Sequence, residues 1–292
     1  MKRALVVGDV MTDIIVMPEG AIARGTDVRA AIRQMPGGSG ANQAVWLAAQ
    51  GAPVRFAARV GIGDVAALDA HFGARGVEAA LAGDPERPTG ALICLVEKDG
   101  ERSFLTDRGA NAALGPGDLP QSLLDDIDLL HVSGYALFEP GPRAAVLALI
   151  AAAHASGIAV SIDPSSTGFL AEIGAARFLD WTAGADFLFP NAEEAALLTG
   201  KDGADAQMAA LQDLYGTVVI KRGADGALLG GRGKTSFALP GREVEAIDTT
   251  GAGDAFLAGF LAAYLRGEDE TGCLEAGIEA GAEAVGKVGA QP

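Results

Sequence analysis

Asp248-Thr249-Thr250-Gly251-Ala252-Gly253-Asp254-Ala255-Phe256 is the stretch from which the rest of the chain can be read. Two threonines and two glycines lead straight into an apolar run, residues 255–265. Phe256, Phe260 and Tyr264 recur there at the spacing of one helix face. Gly251 and Gly253 allow a tight turn with no Cβ in the way of a ligand. The helix behind them leaves N–H groups unpaired at the positive end of its dipole, which makes an anion site, and phosphate is the usual anion. Asp254 lies on the same turn. A carboxylate there can cap the helix, or it can stand as a base beside a bound phosphate. Local features leave both roles open.

Composition narrows the classes. The chain has 292 residues, 49% of them hydrophobic, enough for a sizeable core and too many for a disordered chain. A net charge of −16 repels polyanions, so nucleic acid is not an expected partner. A small anion is a different case, because local N–H groups and a cation can hold it. Two cysteines, Cys94 and Cys273, stand in apolar surroundings, which argues against a disulfide framework and fits a reducing cytoplasm. Met1-Lys2-Arg3 precedes a short apolar run cut by Asp9, better explained by a buried first strand than by a signal segment. No uninterrupted apolar stretch is long enough to cross a membrane, and no membrane partner is expected.

Along the chain, residues 4–8 (Ala-Leu-Val-Val-Gly) read as a buried strand with Asp9 and Asp13 beyond it. Carboxylates past the C-terminal end of a central parallel strand sit where α/β folds bind ligands. A turn or cap role is the plain alternative. Segments 14–17, 29–35, 90–96 and 101–106 have strand character, and Lys98-Asp99-Gly100 between the last two is a hairpin signal. Elsewhere strands and helices alternate: strand 54–60, helix 65–75, strand 129–132, helix 143–155, strand 158–162, strand 187–189 with a helix behind it, and strand 218–221. This pattern argues for a mostly parallel sheet with helices on both faces. Segments 227–229 and 235–239 are separated by glycine-rich turns instead of helices, and are expected to be antiparallel. No internal repeat or interdomain linker is visible.

A second glycine-rich pattern, Gly37-Gly38-Ser39-Gly40-Ala41-Asn42-Gln43-Ala44, opens a helix and is followed by Gly51 and Gly61. Together with residues 248–254 and Ala255-Phe256-Leu257-Ala258-Gly259-Phe260-Leu261 behind them, it resembles the two signatures of the PfkB (ribokinase-like) kinases. Two long patterns in the right order at opposite ends of the chain are specific in a way that one glycine-rich turn is not. The resemblance implies an α/β fold, a single ribokinase-like domain over residues 1–292. That domain would be a three-layer α/β/α arrangement with a mostly parallel central sheet. A small β-sheet lid, formed by about 12–35 and 89–106, would cover the sugar site; the alternative is four edge strands of the main sheet. The implied activity is ATP-dependent phosphorylation of a primary hydroxyl of a small sugar or sugar derivative. ATP and Mg²⁺ are the implied cofactors, with K⁺ as a further one, and a homodimer through the lid is expected.

The resemblance also assigns residues. Asp254 would take the hydroxyl proton, and the Gly251, Ala252 and Gly253 turn would offer N–H groups to the γ-phosphate. Asp13, Gly37, Gly38 and Asn42 would meet the sugar. Asn191-Ala192-Glu193-Glu194 resembles an element that places magnesium and phosphate through water, with Glu194 the magnesium residue; an Asn cap with Glu at N3 explains the same residues. Lys221-Arg222-Gly223-Ala224-Asp225-Gly226 resembles a nucleotide loop in which Lys221 approaches phosphates and Gly223 and Gly226 leave room for adenine; a solvated basic turn is the alternative. Residues 285–292 resemble the ribokinase tail, which with Asp248 and Thr250 implies a monovalent-cation site.

Three other features carry less. Gly231-Arg232-Gly233-Lys234-Thr235 has Leu228 where a P-loop needs glycine, and reads as a hairpin turn. Gly61-Ile62-Gly63-Asp64 has Ala66 where a dinucleotide fingerprint needs its third glycine. His71, His131 and His154 have neither metal-ligand nor triad spacing and read as structural or surface groups.

Departures from ribokinase bear on the acceptor. Met11 stands where ribokinases place an asparagine, Gly134 about where a ribose-contacting glutamate falls, and Ser39 where a lysine stands. Ribose itself is therefore in doubt. Arg108 lies near where keto-sugar-acid kinases of the family place a carboxylate-binding arginine, and Arg29 and Arg33 are further candidates. Each is also readable as a solvated charge. A nucleoside kinase, for pseudouridine or adenosine, is a rival, since Met11, Tyr135 and Phe138 suit a base. A non-catalytic sugar sensor is the rival outside the enzymes. Asp254 retained with Gly251 and Gly253 argues against it, because a sensor needs no base.

Overall fold

Strand β1 (Ala4–Val7) is buried along its whole length. Its side chains alternate, with Ala4 and Val6 in one apolar layer and Leu5 and Val7 in the other. A strand covered on both faces has to be apolar throughout, and this one is. The computed structural model describes residues 2–22, 24–96 and 102–292. The remaining strands are β2 (Met11–Pro18), β3 (Ala30–Gly37), β4 (Val54–Gly61), β5 (Val77–Asp84), β6 (Gly90–Val96), β7 (Arg102–Asp107), β8 (Leu129–Ser133), β9 (Ala159–Asp163), β10 (Phe187–Leu188), β11 (Thr217–Lys221), β12 (Ala227–Gly230) and β13 (Phe237–Leu239).

They form two sheets. The large one has the order β13-β12-β11-β10-β9-β8-β1-β4-β5. Every neighbouring pair from β11 to β5 is parallel, and β12 and β13 are added antiparallel. The chain runs from β1 outward to β4 and β5, then returns to β8 on the other side of β1. The reversal leaves a crevice beyond the C-terminal ends of β1 and β8, the usual ligand position in an open α/β sheet. The helices Ser39–Ala49, Ala252–Arg266 and Glu270–Val285 cover one face, and Pro140–Ala155, Ala192–Thr199 and Ala204–Leu211 lie on the other. The three-layer α/β/α fold is the one expected.

The small sheet has the order β3-β2-β6-β7. It is two antiparallel pairs, β2–β3 and β6–β7, joined by a parallel pairing of β2 with β6. These strands are separate from the main sheet, so the edge-strand alternative does not hold. The hairpin signal at Lys98-Asp99-Gly100 lies outside the described residues. The Gly231–Thr235 segment connects antiparallel β12 and β13, as a turn. Strand β5 has no counterpart in the sequence reading. Its Glu78-Ala79-Ala80 has weak strand preference, and pairing with β4 at the sheet edge imposes the conformation.

Helix Ala252–Arg266 is largely buried. It starts at Gly251 and ends at Gly267, both left-handed, with φ of 76° and 88°. Leu257, Phe260 and Leu261 are all at or near zero exposure, each burial stabilising by roughly 1.5–3 kcal/mol. Glycines let the elements at the site approach closely. A Cβ on Gly40 would stand 2.5 Å from the Gly8 Cα, so the helix from Ser39 starts against the end of β1. We expect Gly40→Ala to destabilise by about 1–3 kcal/mol through overpacking, read as a lower urea midpoint. Gly63→Ala, facing open space, should stay within about 0.5 kcal/mol. Equal midpoints for the two variants would remove the close-approach argument.

Candidate active site

The turn at residues 248–254 is shaped by backbone first. Gly251 holds the left-handed conformation, and a Cβ there would meet the Ala290 carbonyl oxygen at 2.7 Å. No side chain caps the helix that follows. The Asp254 carboxylate instead turns to the helix from Ser39. It accepts from Ser39 Oγ at 2.7 Å and Gln43 Nε2 at 2.9 Å on Oδ1, and from Asn42 Nδ2 at 3.2 Å on Oδ2. The capping role left open by local sequence is not the one its side chain plays.

A second carboxylate faces the same group. Asp163, the last residue of β9, accepts from Gln43 Nε2 at 2.9 Å and from Lys221 Nζ at 3.3 Å. Gln43 is therefore an amide bridge between Asp163 and Asp254. Burial, and then the Asp163 charge, push the Asp254 carboxyl up to about 7 despite the donors from Ser39 and Asn42. Glu194 is raised by burial and again by Asp163. Burial alone would lower Lys221, but Asp163, Glu194 and Asp254 together raise it and keep it charged. Asp13, on β2, is pushed up to about 6 by burial and by Asp9.

Two cavities meet here. The larger, about 650 Å³, is apolar at its far end, where Val244, Phe256, Ile278 and Val285 line it. The smaller, about 270 Å³, is lined by Asp9, Met11, Asp13, Arg108, Tyr135 and Asp254 among others. Asn191, Lys221 and Gly253 line both.

The expected site residues divide as follows. Gly251, Gly253, Asp254, Asp13, Gly38, Asn42 and Arg108 line the smaller cavity, as do Glu194 and Thr250. Ala252, Gly223 and Gly226 line the larger. Gly37 lies behind Asp13, where a Cβ would stand 2.2 Å from its carboxylate, and Gly38 has φ of 95°. Asn191 and Glu194 form a reciprocal capping box at 2.8 Å each way, while both also line the cavity. Asp248 lies outside both linings. Its Oδ1 accepts from the Thr250 N–H and hydroxyl, and its Oδ2 accepts from the Gly289 N–H at 3.1 Å.

The structure adds to several of these expectations. Gly226 serves a backbone crossing besides lining the larger cavity, since a Cβ there would stand 2.0 Å from the Leu239 carbonyl oxygen. The Asn42 amide, expected to face sugar hydroxyls, lines the smaller cavity and also donates to Asp254 and accepts from Gln291 Nε2 at 3.2 Å. Arg108 is not a solvated charge. It donates to Asp9 at 3.0 Å and to the Tyr135 carbonyl at 3.3 Å, and stacks on the Tyr135 ring. Asp163, Gln43 and Ser39 were not assigned to the site. Their one sequence signal was position, Asp163 at the end of a parallel strand and the other two within the glycine-rich pattern.

The chain is similar to known proteins along its whole length. The family profile described as pfkB family carbohydrate kinase matches residues 1–292. An ATP-dependent ribose-1-phosphate kinase of Halopiger xanaduensis is 32% identical, over 100% of this chain and 94% of that protein. A cytidine kinase of Thermococcus kodakarensis is 30% identical, over 99% and 98%. An E. coli protein described as ribokinase II, solved with ATP and Mg²⁺, superposes with a TM-score of 0.86 at 23% identity, covering 99% of this chain and 94% of that one. Two cavities that share Asn191, Lys221 and Gly253, signatures at both ends and a profile match along the whole length lead to one assignment: the chain belongs to the pfkB family of carbohydrate kinases.

Proposed function

We propose that the chain transfers the γ-phosphoryl group of ATP to a primary hydroxyl of a small sugar or sugar derivative, with Asp254 as the base. The observation that carries this is the junction of the two cavities at Asn191, Lys221 and Gly253, with the Asp254 carboxylate on the acceptor side. A nucleotide in the larger cavity would lay its base against Val244, Ile278 and Val285 and its phosphates toward Lys221. An acceptor in the smaller cavity would present its hydroxyl to Asp254 and its other hydroxyls to Asp13. A base with an affinity for protons near neutrality can take the hydroxyl proton without holding it too tightly. The Lys221 ammonium and the N–H groups of Gly251 and Gly253 would stabilise the charge that develops on the transferring group.

The oxygens of Glu194, Asp163 and Asn191 around Lys221 fit a hard cation. Among the described residues no three His, Cys, Asp or Glu side chains are grouped to hold a metal by themselves. Mg²⁺ would therefore be held largely by nucleotide oxygens and water, with Glu194 and Asn191 holding its waters. The ion would supply charge neutralisation on the phosphates. K⁺ is a further proposed cofactor, near Asp248 and Gly289. A nucleoside acceptor is the second reading, favoured by Tyr135 in the cavity wall and by the cytidine kinase among the relatives. A coupled assay of ATP turnover over a panel of sugars, sugar phosphates, keto-sugar acids and nucleosides separates these readings, and turnover stimulated by none of them would remove the proposal.

Two variants test the half-sites together. Asp254→Asn should bind ATP and lose roughly 10²–10⁴-fold in turnover. The folded chain keeps a proton on Asp254 that the unfolded chain releases, so this group's contribution to stability falls as pH rises toward about 7. The variant's melting temperature relative to wild type should therefore rise between about pH 5 and about pH 8. Asp13→Ala should lose acceptor binding and keep nucleotide binding, measured by separate calorimetric titrations. Acceptor affinity that survives while ATP affinity falls would show the half-sites assigned the wrong way round.

Activity should vanish when divalent metal is chelated, and should be higher in potassium than in sodium salts. Equal rates in the two salts would remove the monovalent site. We also propose that two copies pair through the small sheet, which exposes Ile32, Phe104 and Leu105, apolar groups that water does not favour. Sedimentation should give a dimer, and Phe104→Glu with Ile32→Glu a monomer. A wild-type monomer at assay concentration would end this proposal.

A further inference from the structure

His131 lies wholly inside the protein on β8, among the central strands, and no role in the reaction has been assigned to it. Its Nδ1 is 3.0 Å from Ser161 Oγ and its Nε2 is 3.0 Å from Gln43 Oε1. Ser161 and Gln43 are as buried as the imidazole. Polar groups so enclosed are unfavourable unless each finds a partner, and these three do.

The directions of the bonds follow from what each group can do. Gln43 Nε2 faces two carboxylates, Asp163 and Asp254, so it must be the N–H edge of that amide. Gln43 Oε1 then faces the imidazole and can only accept. His131 Nε2 must donate to it and carry the ring proton. A neutral ring leaves Nδ1 as an acceptor, which takes the Ser161 hydroxyl hydrogen. Burial, and then the Lys221 charge, keep the ring neutral, with its affinity for a second proton pushed down to about 3. The polarity runs one way, from Ser161 through His131 and Gln43 to the two acids.

We propose that His131 is a positioning residue for phosphoryl transfer: through Gln43 it holds the bridging amide in the one orientation that presents N–H groups to Asp163 and Asp254. Its value in the reaction rests on Asp254 being the base. An N–H edge fixed against Asp254 complements the carboxylate better than the carboxylic acid. Were the amide free to turn over, its oxygen could accept from a protonated Asp254, which would favour the neutral form. The His131 donor blocks that turn and keeps Asp254 ready to take a proton.

Other groups also act on Asp254. Asp163 and Lys221 face it from the sheet, and Glu194 lies behind Lys221. Ser39 and Asn42, from the helix packed against it, are uncharged. Across the smaller cavity stand Asp9, Asp13, Arg108 and Tyr135. A substitution at His131 leaves all of them in place.

The test follows the Asp254 carboxyl carbon by ¹³C NMR in aspartate-labelled full-length protein, assigned by its loss in Asp254→Asn, and titrated without ligands. It needs no acceptor and no turnover, so its outcome is independent of whether Asp254 is the base. In His131→Leu the midpoint should rise by about one pH unit, a tenfold change in proton affinity. In His131→Gln, whose amide nitrogen reaches the place of Nε2, it should return to the wild-type value. Ser161→Ala, a smaller change to the core, should move it the same way by less, and ¹⁵N shifts should show the wild-type ring protonated on Nε2. A midpoint unmoved in folded His131→Leu overturns the proposal. If that variant does not fold, an unmoved midpoint in Ser161→Ala overturns it, as does a wild-type ring protonated on Nδ1.

Discussion

Asp163 and Asp254 are two carboxylates turned toward one amide, the first buried and the second part-buried. Like charges so arranged repel, and burial opposes the charge on Asp254. The arrangement holds because donors converge on it: Gln43 between the two, Ser39 and Asn42 on Asp254, and Lys221 on Asp163. Each donor comes from a different part of the chain from its acceptor. The site therefore exists only when the helix from Ser39, strands β9 and β11 and the helix from Ala252 are all in place. Much of the remaining structure can be understood as holding these pieces in register.

The sheet does this by topology. Asp9, Asp163 and Lys221 each lie at or just past the C-terminal end of a parallel strand, and parallel strands deliver those ends to one side. The small sheet contributes differently. Met11 and Asp13 on β2, Leu92 on β6 and Thr106 on β7 form a wall of the smaller cavity that none of the main-sheet strands reaches. The larger cavity is set by the large sheet and its helices, whereas the smaller one depends on both sheets.

Much of this was legible in the sequence. The central strands announce themselves by unbroken apolar runs, and the two glycine-rich patterns, far apart in the chain, mark the elements that meet at Asp254. What escaped did so for physical reasons. Strand β5 has alanines and a glutamate in place of strand-forming residues, and only its partner β4 makes it a strand. Asp163 ends an ordinary strand, and nothing local shows that Gln43 and Lys221 will meet it from residues far away in the chain. His131 lacks any spacing that signals chemistry, because its partners lie on a neighbouring strand and a helix. Asn191 and Glu194 show the reverse difficulty: one pair of side chains satisfies a capping rule and lines the site as well.

The contact between Gly8 and Gly40 has a bearing on descent. Each glycine is required by the other's backbone, independently of any ligand or proton. Selection on folding alone would keep both, while selection on catalysis, with Asp254 as the proposed base, would act on that carboxylate. A descendant that had given up phosphoryl transfer for some binding role would be free to lose the acid and still be obliged to keep the glycines. Of the two signatures, then, the N-terminal glycines attest to the shape, and Asp254 is the residue whose loss would betray a silent enzyme.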